Sequence, residues 1–470
     1  MSSTIRRWAS FILGRGAPRD FRERRSRGVF QGTASGVVWR LVAIAVSIVS
    51  VPLTIGYLGT ERYGAWITIS TVLTFLGITD FGLGASLTNA LGRAQAKDAR
   101  EIGRRYVSSA LLTLCLIALA IILIASAFAP TIAAFLFPHL QSPVARAEIA
   151  SAVWLALSIF ALNLPLVIVA RVLAAHQKSA IANLWNIAGT LGNLIALLVV
   201  IWSRGGLPWL VAGCFGFGLV ANLTSAIWLF GFHKPWLRPN LRAVDPTFVK
   251  VLFSDGWKFF IISIGWMINW QTDNIVIAHF LGASYVTPYA VTFSLFGMAS
   301  GLQMLAYPAL WPAYTEAFAQ RDYDWIRQTL RSNFKFSFFT SLAIAAVLVI
   351  FAKEIIRLWA GAAAVPPFAL IVWMALWRLM ISTMLVGSCV LTATGHLKGM
   401  TIYGTVTAAL NLILSILFAK MYGIVGVAAA TAIAYAVSSY VPTFIEVRSV
   451  IRKFPTPKRE EPRPMMPVSV

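Results

Sequence analysis

The sequence predicts an all-α integral membrane protein: about twelve transmembrane helices in two six-helix lobes, related by a parallel pseudo-two-fold repeat. Three observations predict it. The residues are 58% hydrophobic and only 12% charged, about half the charged share of a soluble domain. The apolar residues come in long blocks, several exceeding the ~18–20 residues that span a bilayer as a helix. Landmarks of the first half also recur in the same order in the second. The ~10-residue alternating segments of a membrane barrel are absent.

In chain order the apolar spans lie near 34–57, 64–91, 106–129, 150–170, 179–202 and 207–231, then 252–280, 288–311, 336–352, 368–391, 399–419 and 422–445. A basic tail (1–33) precedes the N-terminal lobe (34–232). A linker (233–250), HKPWLRPNLRAVDPTFVK, leads to the C-terminal lobe (251–446) and a second tail (447–470). The first span is too long for a signal-peptide core and lacks a small-residue cleavage site, so a retained helix is expected. The repeat is carried by turns. YLGTERYGAW from Tyr57 and FLGASYVTPYA from Phe280 share an aromatic-Leu-Gly turn and a tyrosine, Tyr63 and Tyr285, with Gly59 and Gly282 223 positions apart. The basic loops AKDAREIGRR (96–105) and QRDYDWIRQTLR (320–331) follow. ARVLAAHQKS from Ala170 and SCVLTATGHLKG from Ser388 match in turn, with Val172 and Val390 218 apart. Two repeats of one orientation imply lobes facing each other across a central cavity.

The net charge of +22 does not point to nucleic acid, because its location explains it. Of 39 Lys and Arg, 30 fall in the tails and loops on one side of the spans and six on the other. That is the positive-inside asymmetry, and it puts both termini on the cytoplasmic side, with the tails near anionic headgroups. Cys115, Cys214 and Cys389 fall within apolar spans and read as buried small hydrophobes rather than a disulfide framework. No G-x-x-x-x-G-K-[ST], H-E-x-x-H or G-x-S-x-G motif and no Cys/His cluster occurs. Nothing there supports an enzyme, an ATP-driven pump or a metal site.

Three cations remain inside spans, each directly after a tryptophan: Arg40, Lys258 and Arg378. Arg378 lies near mid-bilayer, while Arg40 and Lys258 lie roughly 9 Å in from the inner ends of their helices. A charge at the centre of a lone helix costs ~2.5–3.5 kcal/mol even on a lenient scale, so such residues face protein or a wet cavity. The reading is a cationic cavity for an anionic substrate, with the arginine fork suited to phosphate. Pairing with Asp80 or Asp273, or snorkelling, would answer the same placement. Asp80, in ITDFGLGAS beside Gly82 and Gly84, reads as a structural acid bonded to backbone at a bend, with a coupling role second. In INWQTDNIVIAHFLG (268–282), Asn269, Gln271, Asp273 and Asn274 fall within about one and a half helical turns. Asn269 and Asp273 share a face. That face is expected to turn toward the gap between lobes, where Asp273 takes up and releases a proton or Na⁺; an inert polar seam between helices is the alternative. His279 reads as an interfacial histidine.

The pattern LGTERYGAW…LTFLGITDFGLGASLTNALG followed by KDAREI resembles the N-terminal signature of bacterial polysaccharide-transport proteins. These are the O-antigen and exopolysaccharide (Wzx-like) flippases of the multidrug/oligosaccharidyl-lipid/polysaccharide exporter superfamily. LAAHQKSAIANLWN, TDNIVIAHFLG and LTATGHLKGMTIYG resemble it too, so the likeness covers most of 30–450. The resemblance implies a MATE-like fold in a bacterial inner membrane, two lobes in a V, and alternating access. The implied substrate is an undecaprenyl-pyrophosphate-linked glycan moved from inner to outer leaflet. A polysaccharide polymerase and chain-length machinery are the implied partners. Cavity arginines would hold the pyrophosphate, a role that maps here onto Arg40, Arg378 and, more weakly, Lys258. Coupling to H⁺ or Na⁺ is implied for some members. Two alternatives stand: a cation-coupled multidrug exporter of the same superfamily, whose cavity would be acidic, and a membrane glycan polymerase or ligase, which would carry a large catalytic outer loop.

Overall fold

The computed structural model describes residues 21–139, 143–304 and 307–455; the remainder of both tails lies outside the described residues. The elements are helices and helical turns: α1 (Phe21–Leu76), α2 (Leu83–Ala96), α3 (Arg100–Leu136), α4 (Pro143–Asn163), α5 (Ile168–Ala175), α6 (Ser179–Trp202) and α7 (Leu207–Ile227). Then follow α8 (Pro246–Phe280), α9 (Ala283–Met304), α10 (Tyr307–Ala319), α11 (Tyr323–Ala360), α12 (Phe368–Ala393), α13 (Leu397–Tyr435) and α14 (Val441–Arg452). Eight stretches are long and apolar enough to cross a membrane. Two of these, Gln31–Leu76 and Lys398–Arg452, are each broken into two helices, at Gly59 and Gly423. With α8 and α9 the described residues hold twelve long helical segments, the number of spans the sequence predicts.

The breaks sit where backbone chemistry allows them. Gly59 (φ 73) breaks α1 and Gly423 (φ 61) breaks α13, a left-handed conformation that costs other residues strain. Two spans expected to be continuous are instead split. The 64–91 span breaks at the turn Gly77–Asp80, followed by left-handed Phe81 and Gly82. The 150–170 span tightens into a 3₁₀ turn, Leu164–Val167, at Pro165, which lacks the N–H a helix needs. Left-handed residues recur in register: Gly59 with Gly282, Asp98 with Arg321, Gln177 with Gly395 and Arg204 with Gly423. π-turns occur in both the sixth and the twelfth passes, at Trp228–His233 and Ala436–Tyr440.

Contacts fix the directions. The first arm of α1 runs alongside α6: the Asn183 amide donates to the Gly32 carbonyl (3.0 Å), the Trp39 indole to Thr190 (3.3 Å) and the Tyr57 hydroxyl to the Gly205 carbonyl (2.6 Å). The second arm runs against α8. Two glycines whose absent Cβ leaves room for backbone flank the contact: Gly64 of this arm lies on the Ala283 carbonyl of α9, and Gly82, past the Gly77–Asp80 turn, on that of Gly256 in α8. Small residues at both places let the two halves close together here. Between them Asn274 donates to Thr71 (3.0 Å), and the apolar core runs across the seam, Ala65, Ile69 and Leu73 with Val276, Ile277 and Ala278. On the opposite side the linker is pinned to α3: Ser108 accepts from the Asn240 amide and Ser109 from that of Asp245 (both 3.1 Å). Asp245 caps α8 by accepting from the Thr247 amide and hydroxyl, which holds its carboxyl below the usual carboxylate range. Exposed Leu116, Leu119, Leu123, Ile124 and Phe128 give α3 a lipid-facing strip. Cys115 is exposed beside them rather than buried as expected; Cys389 is buried.

Candidate functional site: two buried charges in the second half

Arg378 is the site's cation. Mid-way along α12 it is only 8% exposed. Its guanidinium lies over three rings: Phe293 of α9 (4.9 Å), Trp377 (5.0 Å) and Trp270 of α8 (5.7 Å). These are cation–π distances. Gly297 makes the arrangement possible, since a Cβ there would stand 3.3 Å from Nη2. Among the described residues the guanidinium forms no ion pair and no hydrogen bond, and its Nε is buried without a partner. Neither Asp80 nor Asp273 neutralises it. The adjoining cavity, lined by Phe296, Ser300, Ser341 and Ser382, measures about 10 Å³, the room of one water. Arg378 thus lies beneath aromatic rings of the second half, not in the open central cavity expected.

Asp273, one helical pass away, is the opposite case. Its Oδ2 accepts from the Tyr289 hydroxyl (2.6 Å) and from Thr431 (2.9 Å), and its Oδ1 from Ser415 (3.4 Å). Ser415 also donates to Asn411 (3.1 Å). Asn269 and Asp273 do share a face, but that face packs on α13, where Asn269 donates to the Gly404 carbonyl (3.3 Å). The expectation that Asp273 turns to the gap between halves is corrected: the i, i+4 rule says which residues travel together, not which neighbour they meet. Asn274 is the residue that faces the first half, and Gln271 is half-buried. Tyr289, buried and bonded to Asp273, also stands within electrostatic reach of Arg378 and so connects the two centres.

The remaining candidates lie apart. Asp80 accepts from the Gly82 amide (2.9 Å) and the Gly84 amide (3.3 Å), which is the structural acid at a bend. A Cβ on Gly84 would stand 2.6 Å from Arg171 Nε and 2.8 Å from Asp80 Oδ2, so the guanidinium and carboxylate crowd the same glycine. Arg40 is exposed. It lies on the stripe of α1 that turns to the second half, one turn before Ile44, which touches Gly301; further on come Ile48, whose carbonyl accepts from Trp359 (2.8 Å), and Val51. Lys258 lies on α8, but its side chain is outside the described residues. His279 accepts its interfacial place: its Nδ1 meets the Phe135 carbonyl at 2.6 Å. The sequence did not single out Tyr289, Asn411, Ser415 or Thr431, because single hydroxyls and amides in apolar runs carry no periodic signal. Arg171 was counted with a loop, though IVARVLAA is an apolar octet with one charge and does flag it.

A helical membrane fold of twelve long segments in two matching halves, with charges buried in its wall, defines the class: the protein has the architecture of the MATE-like exporters. The fold agrees with a multidrug resistance MATE family transporter of the MOP superfamily in its inward-facing conformation, at TM-score 0.74 and 15% identity over 88% of this chain and 96% of that one. It also agrees with the lipid II flippase MurJ in an inward closed conformation, at 0.66 and 17% identity over 89% and 88%. Residues 29–318 match the polysaccharide biosynthesis protein family, and the chain belongs to that family. A relative named as an O-antigen export protein in Yersinia pseudotuberculosis is 22% identical over 404 residues, 82% of this chain and 88% of the relative. The family resemblance read from the sequence is borne out.

Proposed function

We propose that the protein is a flippase that carries an undecaprenyl-pyrophosphate-linked oligosaccharide from the inner to the outer leaflet by alternating access, in the making of O-antigen, capsule or exopolysaccharide. The observation that carries the reading is Arg378, a cation more than nine-tenths buried with no anion beside it. An uncompensated buried charge is expensive, and a family that handles lipid-linked glycans supplies the anion that would repay it. Arg40, exposed on the stripe of α1 that faces the other half, is the entry contact. The cavity beside Arg378 has room for one water, so the pyrophosphate meets it only after the rings of α8 and α9 move off. That movement is the opening alternating access requires.

On this reading the lobes are 34–232 and 251–446, both termini face the cytoplasm of a bacterial inner membrane, and a polymerase with its chain-length machinery consumes the product outside. Asp273 is the coupling group for H⁺ or Na⁺, tied to Arg378 through Tyr289. The test is genetic. Deletion should trap lipid-linked repeat units on the inner leaflet; the wild-type gene should release them, and Arg378→Ala at equal abundance should not. Unimpeded outer-leaflet supply in the deletion strain would reject the flippase, and full rescue by Arg378→Ala would reject the arginine's role.

A further inference from the structure

A cavity of about 230 Å³ lies among elements of the first half. Leu91, Gln95, Asp98, Arg100, His176, Lys234 and Trp236 are among the residues that line it. Arg100 and Lys234 both lie against the Trp236 ring, at 5.8 and 5.5 Å. Lys178 stands close behind, its ammonium 2.7 Å from His233 Nε2, and His233 is stacked on Trp228 at 4.6 Å. One carboxylate faces this group: Asp98 lies 3.6 Å from Arg100. Lys178 and Lys234 have no acid partner among the described residues.

The matching place in the second half holds packed rings. At the 223-residue offset, Leu91, Gln95 and Arg100 correspond to Tyr314, Phe318 and Tyr323; at the 218-residue offset, Trp236 corresponds to Phe454. There Tyr323 stacks on Phe454 at 4.7 Å, Phe318 lies 6.1 Å from Phe454, and Arg327 donates to the Phe454 and Pro455 carbonyls (2.8 and 3.0 Å). The first half replaces three rings by leucine, glutamine and arginine. Arg104, counterpart of Arg327, lies 3.9 Å from Glu101 through Nη1 and keeps a buried Nε without a partner. One backbone plan therefore gives packed rings in one half and a cationic pocket in the other.

We infer that this pocket binds a phosphate group, presented by the headgroup of an anionic phospholipid. The cavity has room for many waters, since each needs only ~10–15 Å³ of this space, and so for a phosphate with its ester arms. The cations contribute the charge and Trp236 a flat ring face. The lipid source is favoured by position. Lys234 follows the Trp228–His233 turn that ends the sixth pass, where Phe232, two residues before it, is 79% exposed. Basic pockets between transmembrane helices at this level accept acidic headgroups. The site is also short of anions: burial and the charges of Lys178 and Arg100 push the Lys234 ammonium down to about 8, and burial, with Lys234, Lys178 and His233 nearby, pushes His176 down. A seated phosphate reverses that repulsion.

The test uses full-length protein in neutral detergent and reads thermal unfolding. Dihexanoylphosphatidylglycerol should raise the transition saturably, and zwitterionic dihexanoylphosphatidylcholine should not. Inorganic phosphate at the same concentration separates the sources: a weaker shift supports the lipid, while an equal or larger shift overturns it in favour of a free phosphate. Lys178→Gln/Lys234→Gln should weaken the apparent affinity at least about tenfold, since each cation near such a headgroup contributes ~1 kcal/mol. Gln95→Phe, which installs the ring the second half carries, should fill the pocket and abolish the shift in a protein that still unfolds cooperatively. Binding should also fade as pH rises past 8, when Lys234 sheds its proton. No saturable shift with phosphatidylglycerol, or an undiminished shift in either variant, overturns the inference.

Discussion

Asp273 and Arg378 are both buried in the second half, share α9 as a neighbour, and are treated in opposite ways. The carboxylate has a donor at each oxygen, supplied by Tyr289, Thr431 and Ser415. The guanidinium has rings, a glycine and a water-sized space. A buried charge with its hydrogen bonds made stabilises what surrounds it; one without them is a standing cost. The contrast teaches that the acid belongs to the resting architecture, whereas the cation is held ready for something absent from it.

The sharpest way to break this contrast is Asp273→Ala. It strands the buried Tyr289 hydroxyl at ~1–3 kcal/mol, while Ser415 and Thr431 keep Asn411 and the Val427 carbonyl as acceptors, so unfolding should come at a lower temperature. Asp273→Asn should cost less stability yet flatten the pH dependence of transport; an unchanged pH profile removes Asp273 from coupling. Next is Arg378→Met, which keeps the packed stem and discards the charge. Transport should fall at least about tenfold, the worth of a charge-assisted hydrogen bond of ~1.5–3 kcal/mol, while the unfolding temperature holds or rises. A matching loss of stability would make Arg378 merely structural. Tyr289→Phe removes one of the three donors and should cost about 1 kcal/mol by calorimetry. Arg40→Gln should matter least, slowing transport a few-fold in a salt-dependent way, as an exposed charge worth ~0.2–1 kcal/mol does.

The twelve long segments and the matching turns were legible because both rest on local rules. Apolar length sets a crossing, and Gly59, Gly282 and Gly423 mark places where the backbone goes left-handed. The split at Pro165 is legible as a proline inside an apolar run. The site was legible only in part. An arginine in mid-span, Arg378, announces itself by its cost. Its surroundings do not, because Trp270, Phe293 and Gly297 are ordinary residues of their helices until packing brings them together. The face of Asp273 was misplaced for the same reason: helical periodicity gave the stripe, and only tertiary structure gave α13 as its neighbour. The basic pocket was visible as a mismatch between halves, Leu91, Gln95 and Arg100 against Tyr314, Phe318 and Tyr323, once the repeat was read as a register rather than a resemblance.

The most direct measurement places purified wild-type protein and Arg378→Met, in equal folded amounts, in vesicles loaded with an undecaprenyl-pyrophosphate-linked repeat unit and follows its arrival in the far leaflet. The prediction is rapid arrival with the wild-type protein and arrival at least about tenfold slower with the variant. Equal rates from the two proteins would contradict it.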